Sequence, residues 1–491
     1  MILNPAAWAA AHYGSVQLGD RRLARRAVQI ATRMAKCPEA SLPAQMGSAT
    51  ALRGAYRLLN HPGVTLEALT APHRRLTLEQ ARAPGTAVVL LVEDTTELDY
   101  SAHEHTTGLG PIGLHHGQGL LLHSTLAVVP DPRHVLGLAS AQVIRRVARH
   151  GSKKGTQRGW WRSPEGRLWE ASAQAVGRPP SGAGITWVHV SDRGSDVFEY
   201  MATCRELDKH FLLRASRNRR LYWPPEDPRA TQAEAQYLLD YARSLPARPE
   251  YRATIQVSAR RTRPHHPGGT PHPTRPAHPP RLAREAQVVL AWTATPVPLA
   301  ASHYAPKAVR AHAPFNAWIL RVWEPDPPAD EDAIEWILIT SLPIHSLEDA
   351  LRDMQWYTCR WVMEDYHQCL KTGCRVERSQ LDDGDDLIRL LGFAIPIAVR
   401  LLQLRDLARQ APQRLARQVI EPLMVQVLAR VQGLNARTLT LEAFWQAVAR
   451  MGGHQGRRGD GSPGWRTVWR GWRHLEELTE GARLFAPRDP T

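Results

Sequence analysis

The sequence predicts an α/β core, a mixed sheet with a β-rich insertion, set between one all-α domain at the N-terminus and another at the C-terminus. Three observations predict it. The first eighty residues place apolar side chains at helical spacing. The middle holds short apolar runs separated by Pro and Gly. After about residue 375 the pattern is helical again.

A chain of 491 residues has room for about three domains at roughly 100–200 residues each. The texture divides it at 1–80, 81–375 and 376–491. Hydrophobic residues make up 43% and there are 16 Trp, enough to build buried cores. A net charge of +15 suits a polyanionic partner, and nucleic acid is the commonest one. The five cysteines are odd in number and irregularly spaced, which argues against a disulfide framework and for a reducing cytoplasm. Cys359, His367, Cys369 and Cys374 lie close together, but no pair has the C-x-x-C spacing common in structural zinc sites. The N-terminus lacks a basic region followed by a long apolar core. No uninterrupted run reaches the ~18 apolar residues needed to span a bilayer, so no membrane partner is expected.

In the N-terminal segment, Asp20 is placed to cap a helix running to about Lys36. Leu23, Ala27, Ile30, Ala31 and Met34 form its apolar face, and Arg22, Arg25, Arg26 and Arg33 lie on the other side. Ser48 starts a second helix that ends near Asn60–Gly63, and Thr65 caps a third. From Met1 to Arg75 there are ten Arg/Lys against three acids. A compact helical module with a basic face can read DNA; it can also be a solvated surface.

The core follows. TAVVLLVED (86–94) reads as a strand buried on both faces. GLLLHSTLAVV (119–129) and HVLGLASAQVI (134–144) continue as an antiparallel meander. Ser163-Pro164 is a helix start, ITWVHVSD (185–192) a strand, Ser195 the start of a helix, and FLLRAS (211–216) a strand. About 222–333 is richer in strand signals and contains a Pro/His/Arg-rich stretch at 261–281. IEWILITSLP (334–343) is a further strand. Ser346-Leu-Glu-Asp resembles a capping box and opens a long helix expected to reach Lys371, with Gly373 as its stop. The C-terminal helices break at Pro412, Gly433 and Gly452-Gly453. The last starts at Ser462-Pro463 and carries a stripe of Trp465, Trp469 and Trp472.

Three antiparallel strands, then helix, strand, helix, strand and later helices match a ribonuclease-H-like layout. In that layout the first and fourth strands are neighbours, which would bring together Asp94 and Asp192. Alternation sets Asp94 on the face of Val88, Leu90 and Val92, and Glu93 on the other. On one uninterrupted helix, Tyr357, Arg360, Glu364 and Lys371 would fall within about 60° of one another. An aromatic ring, a carboxylate and two cations on one face suit a metal-bound scissile phosphate with its flanking nucleotide. Three carboxylates favour Mg²⁺, and two ions ~3.5–4 Å apart can serve both hydrolysis and strand transfer.

These residues carry a resemblance. The chain resembles the DDE transposases of the insertion sequence 4 family, most closely the transposon 5 subgroup. The signature Y-(2)-R-(3)-E-(6)-K is present as Tyr357, Arg360, Glu364 and Lys371. Asp94 lies in VEDTTELDY and Asp192 in SDRGSD, both similar to family segments. LGDRRLARRAVQIATRMA resembles the family's DNA-end-binding domain, and LEAFWQAVARMGGHQGRRG…GWRTVWRGW its dimerisation region. The resemblance implies a catalytic, metal-binding triad of Asp94, Asp192 and Glu364. It implies DNA contacts by Tyr357, Arg360, Lys371 and Arg214, and a base-supporting role for Trp336. It further implies cut-and-paste transposition by a homodimer joined to terminal inverted repeats and target DNA, in a bacterial cytoplasm beside the nucleoid. The stretch 261–281 has no family counterpart, and Val362, Met363 and Gln368 stand where more polar residues are usual.

Three rival functions have distinct requirements. A non-catalytic DNA-binding regulator needs a lost carboxylate or a shortened N-terminus. A nuclease of RNA–DNA hybrids or branched DNA needs neither an end-binding domain nor a dimerising tail. A glycosidase leaves the basic N-terminal module and the cations beside Glu364 without a role.

Overall fold

The computed structural model describes residues 4–113, 117–147, 165–182, 184–247, 250–257, 283–301, 307–310, 315–329, 331–457, 463 and 465–485. The chain forms two compact units. One is Met1–Trp187 with Trp361–Thr491; the other is Val188–Arg360.

The first unit begins with five helices: α1 (Pro5–Tyr13), α2 (Arg21–Lys36), α3 (Leu42–Met46), α4 (Ala49–Leu59) and α5 (Leu66–Ala81). The caps expected from the sequence are present. Asp20 accepts the Arg22 N–H at 2.7 Å, and Ser48 and Thr65 cap α4 and α5. Ala27, Ile30, Ala31 and Met34 are buried on α2, as their spacing predicts. Periodicity marks neither α1, which is mostly alanine, nor α3, which is five residues long.

The sheet strands of this unit are β1 (Val88–Asp99), β2 (Gly110–Ile112), β3 (Gly117–Pro130) and β4 (Arg133–Ile144). β3 pairs with β1 along one edge and with β2 and β4 in succession along the other, all antiparallel. α6 (Leu168–Val176) follows. Then β5 (Thr186–Ser191) starts beside β1, where the Thr186 N–H donates to the Ala87 carbonyl at 2.9 Å. Val89, Leu91, Ala127, Ala139 and Trp187 form a buried cluster with Ala81 of α5 and Val176 of α6. Strand alternation therefore turns Leu90, Val92 and Asp94 to the opposite face.

The second unit takes the last four residues of β5 and continues with α7 (Phe198–Glu206) and β6 (His210–Arg214). β5 and β6 are parallel, as a strand–helix–strand unit requires. α8 (Leu238–Ser244), β7 (Arg252–Val257), β8 (Arg284–Trp292), β9 (Val297–Leu299), α9 (Lys307–Arg310), β10 (Phe315–Trp323) and β11 (Glu335–Thr340) come next. From β6 the antiparallel order runs through β11, β10 and β8 to β7, and β9 pairs with β10. The strand-rich character expected for 222–333 is present, interrupted by short helical turns near 228–244. α10 (Leu347–Thr358) opens with the expected capping box: Ser346 and Asp349 each bond the other's backbone.

The chain then returns to the first unit with α11 (Trp361–Gln368), α12 (Gly384–Gln410), α13 (Pro422–Gln432), α14 (Leu441–Met451) and α15 (Trp465–Phe485). One correction concerns apolar length. The span Gly384–Leu407 of α12 is long and apolar enough to cross a membrane, with a mean hydropathy of 1.8, although it holds no uninterrupted apolar run of that length. The fold buries most of that apolar stretch, so α12 is a core helix of its unit. The C-terminal helices pack through aromatic rings. Trp445 and Trp472 stack at 5.1 Å, and Trp469 is buried beside them. α14 and α15 approach closely at Gly452 and Gly471; a Cβ on Gly471 would lie 1.7 Å from the Val448 carbonyl oxygen. The expected helix starts at Ser163-Pro164 and Ser462, the stretch 261–281 and the Trp465 side chain lie outside the described residues.

A second correction concerns the helix expected from Ser346 to Lys371. It is broken. α10 ends at Thr358, a turn holds Cys359 and Arg360, and α11 is followed by a π-helical turn, Cys369–Gly373. Tyr357, Arg360, Glu364 and Lys371 thus occupy four successive segments and do not share one face of a straight helix. Gly373 does end the run.

Candidate active site

The first unit carries Asp94, Glu364 and Lys371. Asp94 is half-buried on β1, and its Oδ1 accepts the Thr95 N–H at 2.8 Å. It pairs in register with Ser124 of β3. Directly opposed residues of an antiparallel pair point to the same face. The Ser124 hydroxyl lies 3.3 Å from the hydroxyl of Tyr366, on α11. α11 therefore covers the face to which Asp94 points, and Glu364 is exposed two residues before Tyr366.

The neighbouring acids have other duties. Glu93 points to the opposite face, fully buried, where Thr125 donates to it at 3.2 Å. Asp365, beside Glu364, forms an ion pair with Arg405. Alternation distinguishes Asp94 from Glu93 in the sequence, and the Y-(2)-R-(3)-E-(6)-K spacing distinguishes Glu364 from Asp365.

Lys371 sits in the π-helical turn. Its ammonium donates to the Glu97 carbonyl and pairs with Glu377 at 3.2 Å. Glu377 also accepts the Asp99 N–H at 3.1 Å. No local pattern marks this acid, because its contact with β1 joins segments far apart in the chain.

The second unit carries Asp192, Arg214, Trp336, Tyr357 and Arg360. Asp192 follows β5 and caps a short turn by accepting the Gly194 N–H at 2.8 Å. The parallel pairing of β5 with β6 puts the ends holding Asp192 and Arg214 at the same edge. Arg214 donates to the Glu335 carbonyl at 2.6 Å and is hydrogen-bonded to Tyr357. Burial lowers the Arg214 pKa; Tyr357 opposes that shift, while Arg193 and Arg360 add to it. Burial raises the Tyr357 hydroxyl above its ordinary value, Arg360 and Arg214 pull it down, and Asp192 pushes it up. Trp336 is 7% exposed, and its ring meets the Tyr357 ring at 5.1 Å. Five residues expected to act together thus share one neighbourhood, joined by Arg193, which no sequence pattern marks.

The nearby acid Asp196 is again committed elsewhere. It is buried, pairs with Arg219, and accepts the N–H groups of Ser216 and Arg217 at 2.8 Å each.

On α2 the basic residues divide. Arg22 is exposed and pairs with its cap Asp20 at 3.0 Å. Arg25 is exposed. Arg26 donates to the Gly54 carbonyl at 3.4 Å, and Arg33 donates to the Met46 carbonyl. The last two brace α4 and α3 within the helical module.

The donor chemistry bears on which metal suits the chain. Burial pushes the thiols of Cys369 and Cys374 up, which disfavours the thiolate a zinc site needs. Asp94, Asp192 and Glu364 each offer hard carboxylate oxygens, the donor class that Mg²⁺ and Mn²⁺ take. Among the described residues, no group of three or more His, Cys, Asp and Glu side chains is assembled to hold a metal ion.

Two comparisons bear on the chain as a whole. A family model described as transposase DNA-binding matches residues 5–64, from α1 through α4. A second, described as the transposase Tn5 dimerisation domain, matches residues 396–488, from within α12 past the end of α15.

Proposed function

The chain belongs to the transposases of the insertion sequence 4 family, of the transposon 5 type, and from that premise we propose that it cuts and rejoins DNA at the terminal inverted repeats of its element. In this reading residues 81–375 form a ribonuclease-H-like core, with Asp94, Asp192 and Glu364 as its metal-binding carboxylates. Residues 1–80 read the element ends, with the exposed Arg25 available to phosphate. Residues 376–491 join two copies, because two ends must be processed together.

Asp94, Asp192 and Glu364 would hold Mg²⁺ or Mn²⁺, which would supply activation of an attacking water or 3′-hydroxyl and stabilisation of the leaving oxygen. The side chains of the second unit supply orientation. In this reading Arg214 and Arg360 would grip phosphate oxygens beside the scissile bond, and the Tyr357 hydroxyl would offer a further hydrogen bond. Lys371 would exchange Glu377 for phosphate when DNA arrives. Excision through a hairpin, with Trp336 supporting an extruded base, and transfer into target DNA complete the proposed cut-and-paste sequence.

The observation that carries the proposal is the grouping of Arg214, Arg360 and Tyr357 with Asp192. Half-buried cations clustered around a buried tyrosine and a half-buried carboxylate suit an anionic substrate. The test uses purified protein and a labelled duplex ending in the element's own repeat. Wild type is expected to cut at the boundary only with Mg²⁺ or Mn²⁺, and Glu364→Ala not at all. Tight end binding with no cleavage by either protein, in every metal tried, would overturn the catalytic assignment.

A further inference from the structure

Behind Asp94, on the opposite face of the sheet, the core changes character. Val89 and Leu91 of β1 are packed in an apolar cluster, yet the next side chains on that face are Glu93 and Thr95. Their register partners on β3 are Thr125 and His123. Thr95 Oγ1 lies 2.9 Å from His123 Nδ1, and His123 Nε2 lies 3.4 Å from a Glu93 carboxylate oxygen. That oxygen also accepts the Thr125 hydroxyl at 3.2 Å, and the hydroxyls of Thr125 and Ser172 are 2.5 Å apart. The His123 ring meets Trp169 edge-on at 4.6 Å. Glu93 and His123 have no exposed side-chain surface.

A buried acid and imidazole gain little stability over apolar residues of the same shape, while losing one partner is costly. Such a network is retained where it fixes a conformation. This one holds the side chain of Thr95, whose N–H donates to Asp94 Oδ1 at 2.8 Å. The polar segment also begins at the level of Asp94, with apolar residues preceding it along the strand.

We propose that Glu93, His123 and Thr95 are positioning residues for the strand-cleavage reaction, fixing the peptide between Asp94 and Thr95 so that the Asp94 carboxylate is preset as a metal ligand. None of the three needs to touch DNA or metal. The proposal rests on Asp94 being a metal ligand, as proposed above.

The test compares wild type, Thr95→Val, Thr95→Ser, Glu93→Gln and Asp94→Asn on the end duplex. Cleavage is followed in single turnover against Mn²⁺ concentration. Mn²⁺ binding to the protein–duplex complex is read separately by the electron paramagnetic resonance of free Mn²⁺, with duplex alone as blank. Outer groups that orient a metal ligand are worth roughly 10–100-fold in metal affinity or activity. Thr95→Val and Glu93→Gln are therefore expected to raise the Mn²⁺ requirement, and to weaken Mn²⁺ binding, by about 10-fold or more. Duplex affinity should be unchanged, and Thr95→Ser should restore the wild-type requirement. If Glu93→Gln fails to fold, the two Thr95 variants carry the test. A Thr95→Val chain with wild-type Mn²⁺ requirement and binding overturns the positioning role, whether or not it melts earlier. Asp94→Asn cutting like wild type would instead overturn the assignment of Asp94 itself.

Discussion

Asp353 lies one helical turn before Tyr357 on α10, fully buried beside Arg352 at 3.0 Å. Burial pushes its carboxyl up to about 7, against the pull of the Arg352 guanidinium. The folded chain then binds this proton more tightly than the unfolded chain does. The resulting stabilisation is full at acid pH, below the unfolded carboxyl's value, and is lost as pH rises toward 7. Asp353→Asn, which requires no proton, should raise Tm relative to wild type at pH 8 and change it little at pH 4. A gain confined to pH 4 would contradict the assignment. Arg214 gives a second test at this scale. A charged hydrogen bond is worth ~1.5–3 kcal/mol, so Arg214→Ala should slow single-turnover end cleavage by about 10–100-fold. Much of the site is legible at this scale. Asp94 is separable from Glu93 by alternation alone, and the Tyr357–Lys371 spacing is visible in the sequence. Glu377 and Arg193 are not legible as partners, because a contact between distant segments leaves no periodic trace in either.

At the scale of the element, helix starts are the best-read feature. Asp20, Ser48, Thr65 and Ser346 each cap the helix expected to follow, because one short polar side chain and one backbone N–H decide the matter locally. Ser346→Ala should lower unfolding stability by about 1 kcal/mol, read as a lower denaturant midpoint with an unchanged slope. No shift in midpoint would mean that the capping box contributes nothing. The break after Thr358 and the π-helical turn at Cys369–Gly373 were not legible. No Pro or Gly marks the first, and a π-turn is set by what the helix packs against. Such turns recur at functional sites, and this one holds Lys371.

At the scale of the molecule, local patterns divide the chain consecutively, whereas the first compact unit is built from both ends of it. α12 shows why this is hard to read: its apolar length resembles a membrane span until the segments that bury it are known. Net charge is legible without any structure. At +15, end binding should be strongly salt-dependent, weakening by about 10³-fold or more between 50 and 200 mM salt if six or more phosphates are contacted. Affinity indifferent to salt would remove phosphate recognition from the account.

Asp94, Asp192 and Glu364 are proposed to serve one metal-dependent reaction. The direct measurement replaces each in turn by cysteine and follows end cleavage in Mg²⁺ and in Mn²⁺. A thiolate is a poor ligand for Mg²⁺ and a better one for softer ions. All three variants should lose cleavage in Mg²⁺ and regain part of it in Mn²⁺. Full Mg²⁺ activity in any of them would contradict the claim for that residue, and absence of Mn²⁺ recovery in all three would contradict metal ligation by the set.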